Sequence, residues 1–173
     1  TISADNGTVL VSLFSASTVR VQVLFEGQQE HDFSYAVTSK PAAIEFSVSE
    51  NDEELSLATD TLNLKISKHP LRLSFYTKDG KLINEDDPAF GTSRVGDEVT
   101  TYKTLREGER FIGLGEKTGN LDRRGEAYTN WNTDYFGYPE NADPIYLTTP
   151  FYIGAHSDVA YGIFTVSYTH LRA

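Results

Sequence analysis

An all-β chain built on an antiparallel β-sandwich is what the sequence predicts, and three observations predict it. Apolar residues alternate with polar ones in short runs, each run ends in turn-forming residues, and no segment sustains a helical apolar stripe for three turns. Strands at such regular spacing form antiparallel sheets that bury one face each, and two stacked sheets make a sandwich.

The first runs are Val9, Val11 and Leu13, then Val19, Val21, Val23 and Phe25, closed by Glu26-Gly27. Ile44, Phe46 and Val48 follow, ending at Asn51-Asp52. Leu62, Leu64 and Ile66 lead through Lys68-His69-Pro70 to Leu71, Leu73 and Phe75. Lys78-Asp79-Gly80 then joins Phe75 to Leu82, and its Asp-Gly step is a good hairpin signal. Late in the chain, Phe151–Ala155 and Tyr161–Thr165 read as a closing hairpin around His156-Ser157-Asp158. Between residues 115 and 149 strand signal almost vanishes, which predicts a long irregular loop. A loop that long in a compact domain is usually functional or disordered. Its ring content argues against disorder.

The whole-chain composition sets further bounds. The 173 residues fit one domain, and 39% hydrophobic residues supply a sizeable core. A net charge of −10 argues against a nucleic-acid partner, because phosphate binding relies on clustered Lys and Arg. The same charge disfavours anionic membrane surfaces, and no apolar run is long enough to span a bilayer. The acidic runs Asp52-Glu53-Glu54 and Glu85-Asp86-Asp87 read as solvated turns, and a Ca²⁺ site at the second lacks the EF-hand spacing and central Gly. The absence of Cys excludes disulfides, thiolate chemistry and Cys-based zinc sites. The chain opens at Thr1 with no initiator Met and no signal-like segment, so it reads as processed or cut from a longer one. A cytoplasmic location is the expectation, with export left open by the missing start.

The segment from Phe111 to Phe151 concentrates the chemistry. It carries eight of the 21 Phe, Tyr and Trp residues, among them the only Trp, Trp131. Arg123, Arg124, Asp122, Asp134 and Asp143 are interleaved with them, and glycines stand at 113, 115, 119, 125 and 137. Rings mixed with carboxylates and amides suit a sugar, whose C–H face stacks on an aromatic while its hydroxyls need fixed polar partners. An ordered loop packing its rings on its own domain is the competing reading.

Other candidate sites are weaker. Gly113-Leu114-Gly115 with Gly119 mimics a dinucleotide fingerprint, but the third Gly falls one position late and no βαβ unit follows. These glycines instead let the backbone turn sharply out of a strand. His31, His69, His156 and His170 show no metal-ligand spacing, so no metal is expected. No Ser lies in a nucleophile-elbow motif. Asn6-Gly7-Thr8 matches a glycosylation acceptor, a tripeptide common by chance. A retaining glycosidase needs two carboxyl groups about 5–5.5 Å apart, and 25 Asp and Glu residues give no means of selecting a pair.

The string GLGEKTGNLDRRGEAYTNWNTDYFGY resembles, over some forty residues with DPIY following, the N-terminal domain of glycoside hydrolase family 31, closest to its bacterial α-glucosidases. The pieces GLGEKTG, LDRRG, WNTD and DPIY fall in that family's order and spacing. The preceding hundred residues agree more loosely, in strand pattern and in Asp32-Phe33-Ser34-Tyr35. The resemblance implies a galactose-mutarotase-like β-sandwich ahead of a catalytic (β/α)₈ barrel, with the long loop reaching across the barrel mouth. It implies a parent enzyme that is a retaining α-glucosidase acting on α-glucoside oligosaccharides, with no cofactor.

Residue by residue, the resemblance makes Asp134 a hydrogen-bond partner of a substrate hydroxyl, with Trp131, Asn132 and Thr133 supporting or lining that wall. Arg123 and Arg124 are expected to pair with acidic residues and fix the loop, and Glu116 to brace its base. The family's catalytic aspartates lie on the barrel, and no matching motif occurs here, so no catalytic residue is assigned and the chain alone is expected to be inactive. The domain is expected to run from 1 to 165, short of the family pattern at both ends. Residues 166–173, VSYTHLRA, resemble no family pattern and read as a scar. Two other classes stay open: a free-standing carbohydrate-binding module, and a sugar 1-epimerase using His156 or His69 with a Glu. Linkage preference, aglycone preference and oligomeric state are not legible.

Overall fold

The computed structural model describes residues 1–5, 7–30 and 33–165. Asn6 of the glycosylation tripeptide, His31, Asp32, His170 and the 166–173 tail lie outside the described residues. Thirteen strands and no helix are present among the described residues. The chain divides into two compact units, Thr1–Thr104 and Leu105–Ala173, a boundary that apolar alternation does not mark.

The first unit is a sandwich of two antiparallel sheets. One has the order β1 (Ile2–Ala4), β2 (Gly7–Ser15), β3 (Thr18–Leu24). The other runs β4 (Ser47–Glu50), β5 (Glu54–Ala58), β6 (Leu62–Lys68), β7 (Leu71–Thr77), β8 (Leu82–Glu85) in sequence order. Alternation decides which side chains meet. Ile2, Val9 and Leu13 of the first sheet share one core with Leu55, Leu57, Leu64, Ile66, Leu71 and Leu73 of the second. Val9, Leu64 and Ile66 are completely buried, each contributing about 1.5–3 kcal/mol of hydrophobic stabilisation. The Thr59 and Thr61 hydroxyls both donate to the Ala16 carbonyl, at 2.6 and 2.7 Å, and tie the two sheets together at one end.

The Asp79-Gly80 turn joins β7 to β8, with Gly80 at φ 86°. Three outcomes differ from the expectation. Glu85-Asp86-Asp87 is not a solvated turn, because Glu85 closes β8 and Asp86 is buried. Glu54 is the first residue of β5, not part of a solvated turn. Ile44 and Phe46 precede β4, because β5 ends at Ala58 opposite Ser47 and offers no partner further back. A hairpin of β9 (Thr92–Val95) and β10 (Glu98–Thr101) completes the unit. Beside it the buried Asp86 accepts from the Leu73 amide at 2.9 Å and from the Lys103 ammonium at 2.6 Å.

The second unit is a three-stranded sheet, β11 (Arg110–Gly115), β12 (Thr148–His156), β13 (Val159–Phe164), and the loop between its first two strands. The β12–β13 hairpin turns at Ser157 and Asp158, as the sequence predicts. Residues 116–147 contain no strand, again as predicted.

Candidate functional site

The loop leaves the sheet at a bulge. Register slips between Gly113 and Gly115, and Leu114 takes φ 70°. A Cβ at Gly115 would lie 2.6 Å from the Leu147 carbonyl oxygen, so only glycine admits the returning strand there. The sharp exit from a strand that the glycines predict is therefore what they provide. Glu116 braces the base through its main chain, its N–H donating to the Leu147 carbonyl at 2.7 Å. Its exposed carboxylate has no hydrogen bond or ion pair among the described residues.

The LDRR segment docks along β11. The Phe111 amide donates to Asp122 Oδ1 at 3.1 Å, and the Arg123 amide returns a bond to the Phe111 carbonyl at 2.7 Å. Asp122 also accepts from the Arg124 amide at 3.2 Å and from the Arg110 guanidinium at 2.8 Å. These donors, the Phe111 amide first, hold the Asp122 carboxyl below its ordinary 3.8.

Among the described residues Arg123 and Arg124 do not have the acidic partners expected of them. Arg123 donates to the carbonyls of Thr118 and Asn120 at 3.0 and 2.6 Å, and its guanidinium lies 5.3 Å from the centre of the Tyr128 ring. Arg124 donates to the carbonyls of Arg106 and Glu109 at 2.9 and 2.5 Å. The physical reason is backbone outside the strands: the Thr118 and Asn120 carbonyls in the loop, and those of Arg106 and Glu109 ahead of β11, have acceptor capacity to fill, and a guanidinium carries five donors.

Two residues that the sequence did not single out hold the rest. Lys117, its side chain fully buried, donates to Asp143 Oδ1 at 2.7 Å and to the Thr129 carbonyl at 2.6 Å. Glu109, 1% exposed, accepts from the Arg106 amide at 2.9 Å and from the Tyr161 hydroxyl at 2.7 Å. Tyr161 reaches it across Gly154, where any Cβ would collide with the ring. Burial, reinforced by the negative Glu109, raises the Tyr152 phenol above 10.0. Nothing in the composition marks Lys117 or Glu109, although Lys117 lies inside GLGEKTG.

The WNTD residues then separate by role. Asn132 Oδ1 accepts from the Thr148 amide at 2.7 Å and from its hydroxyl at 3.1 Å, so its side chain fastens the loop to the start of β12. Trp131 is half exposed, and Thr133 is partly buried. Asp134 is exposed and its carboxylate has no hydrogen bond or ion pair among the described residues. Phe136 beside it is 93% exposed, while Tyr138 and Tyr146 pack edge to face with centres 5.8 Å apart. An unpaired carboxylate among open rings, on a backbone held by buried polar groups, is equipped to bind a polyhydroxylated ligand. Among the described residues no three His, Asp or Glu side chains are grouped to hold a metal.

The chain is thus an antiparallel sandwich and, in a second unit, a small sheet carrying a ring-bearing loop. The glycosyl hydrolase 31 N-terminal galactose mutarotase-like domain family matches residues 8–170, across both units, and the chain belongs to that family. It is 33% identical over 162 residues to alpha-glucosidase 2 of Bacillus thermoamyloliquefaciens, covering 92% of this chain and 20% of that protein. It is 39% identical over 69 residues to an alpha-glucosidase of Saccharolobus solfataricus, covering 40% of this chain and 10% of that one. Among solved structures, a GH31 dextranase of Flavobacterium johnsoniae complexed with glucose matches with TM-score 0.80 and 32% identity, over 87% of this chain and 19% of that one. The chain thus spans about a fifth of the length of these full-coverage relatives.

Proposed function

We propose that the chain is the N-terminal domain of a retaining α-glucosidase and supplies one wall of its sugar site. The parent hydrolyses terminal α-linked glucose from oligosaccharides, using two carboxylates of a catalytic barrel outside this sequence. Asp134 accepts hydrogen bonds from a substrate hydroxyl, Trp131 offers a stacking face, and Thr133 lines the wall beside them. Asn132, Arg123, Arg124 and the Glu116 main chain hold the loop that presents them.

The observation that carries this reading is the state of Asp134: an exposed carboxylate without a partner among the described residues, on a loop whose neighbouring segments are bonded. The α-glucosidase relatives, and the dextranase crystallised with glucose and, as a variant, with isomaltotriose, support the substrate class. The epimerase reading loses support from geometry. The carboxylate bonded to Tyr161, whose ring neighbours His156, is that of Glu109, which is buried with both oxygens occupied. His69 pairs instead with Asp5 in the other unit.

The full-length gene product, assayed on maltose and isomaltose, is expected to release glucose with the anomeric configuration retained. The isolated chain is expected to be silent on a nitrophenyl α-glucoside and on sugar anomerisation. Hydrolysis by the pure chain, scaling with its concentration and surviving repurification, would contradict the assignment.

A further inference from the structure

A buried polar cluster joins the beginning of the loop to its end. Lys117 Nζ and Asp143 Oδ1 lie 2.7 Å apart, and the lysine side chain is fully buried. Both groups also grip the same residue, one on each of its flanking peptides. Lys117 donates to the Thr129 carbonyl, and the Thr129 amide donates to Asp143 Oδ2. The Trp131 amide in turn donates to the Thr129 carbonyl at 3.2 Å. The Tyr128 ring lies within 6.0 Å of the Lys117 ammonium and 5.3 Å of the Arg123 guanidinium. Beyond Trp131, Asn132 is bonded to Thr148.

We infer that Lys117 and Asp143 form a positioning clamp for the ligand-facing segment from Trp131 to Asp134. Neither touches the ligand. Each acts through Thr129, whose donor and acceptor are both fixed, so the two residues set the direction in which the chain enters WNTD. Burial makes the clamp stiff: away from water, a charge-assisted bond has no competing partner and an unpaired member is costly. A loop built on hydrogen bonds instead of an apolar core needs such a fixed point to hold a side chain within about half an ångström of a productive pose. The importance of that pose for a sugar rests on the function proposed above; the clamp itself does not.

Trp131 is the chain's only Trp and is 50% exposed, which makes it a reporter for the clamp. In the 173-residue chain, Lys117→Met is expected to raise acrylamide quenching of Trp131 toward roughly twofold, the limit for a half-exposed ring set free. Asp143→Asn should raise it less, because the single amide oxygen keeps one of the two bonds that the carboxylate accepts. Strand circular dichroism should stay at its wild-type value in both. The double variant should go no further than Lys117→Met, as expected of two residues acting as one unit.

In the full-length enzyme, Lys117→Met should lower kcat/KM, and adding it to Asp134→Ala should cause little further loss. If Asp134→Ala is itself silent, the sugar-wall reading fails while the quenching result still judges the clamp. Wild-type quenching in folded Asp143→Asn and Lys117→Met would overturn the clamp. So would a rise that appears only together with lost strand signal. Where Lys117→Met does not fold, Asp143→Asn decides.

Discussion

The first unit and the loop of the second are held together by different physics. Among the described residues of 1–104 the largest fully buried side chains are apolar: Val9, Leu64, Ile66 and Leu71 are at most 2% exposed, and they meet across two sheets. Among the described residues of the second unit only Ala142 and Ile145 are buried hydrophobic side chains, while Lys117 and Glu109 have their charged groups inside. Ile112, Phe151, Ile153 and Phe164 of its sheet remain 38–43% exposed. Apolar burial is non-directional and tolerates small shifts, whereas hydrogen bonds fix distances and angles. A framework can rest on the first kind; a loop that must aim particular side chains needs the second.

The largest effect that sharpens this contrast belongs to the apolar core. Leu64→Ala should destabilise the first unit by about 2–5 kcal/mol, read by chemical denaturation, through lost burial and the cavity left behind. A cost under ~1 kcal/mol would mean that the shared core is not what joins the two sheets. Next comes Glu109→Ala, which takes the acceptor from the Arg106 amide and the Tyr161 hydroxyl. It should cost about 1–3 kcal/mol, with amide exchange accelerated in β11 and β13 while β6 and β7 stay protected. Equal acceleration in β6 would erase the distinction between the regions.

The smallest effect is confined to acid pH. Because the folded-state pKa of Asp122 is depressed, its contribution is fully present above its ordinary 3.8 and is lost as pH falls through the lower folded value. Protection of the Phe111 amide should therefore fall over that window in the wild-type chain. In Asp122→Asn it should be weaker at neutral pH and flat through the same range. A wild-type profile in Asp122→Asn would show that the carboxylate does not anchor the loop to β11.

What was legible in the sequence follows the same division. Period-two alternation located β2, β3, β6 and β7 because those strands bury one face each. It missed β5, where Asp52-Glu53-Glu54 hid a run of two leucines, and the β9–β10 hairpin, whose second strand buries no residue. The loop was visible as an absence of strand signal. Its internal bonding was not, since a buried lysine and a solvated one are the same letter. Arg123 and Arg124 were expected beside carboxylates and are found beside carbonyls, because which carbonyls lack a donor is decided only when the loop closes. The sequence leaves Asn132 either supporting or lining the wall, and its side-chain oxygen, bonded to Thr148, has the supporting part. Within WNTD, folding distinguishes a carboxylate held in reserve from an amide in use.

That Asp134 lacks a partner among the described residues because it meets a sugar is a proposal. Its most direct test is kcat/KM of Asp134→Ala in the full-length enzyme on maltose, with melting curves measured alongside. A carboxylate accepting hydrogen bonds in a desolvated site contributes about 1.5–3 kcal/mol per charged bond, so kcat/KM should fall by about one to two decades. Asp134→Asn should recover part of the loss, because an amide oxygen still accepts, and Tm should hold in both. A kcat/KM within twofold of wild type, or a fall that merely tracks a lowered Tm, would contradict the claim and return Asp134 to the surface charges.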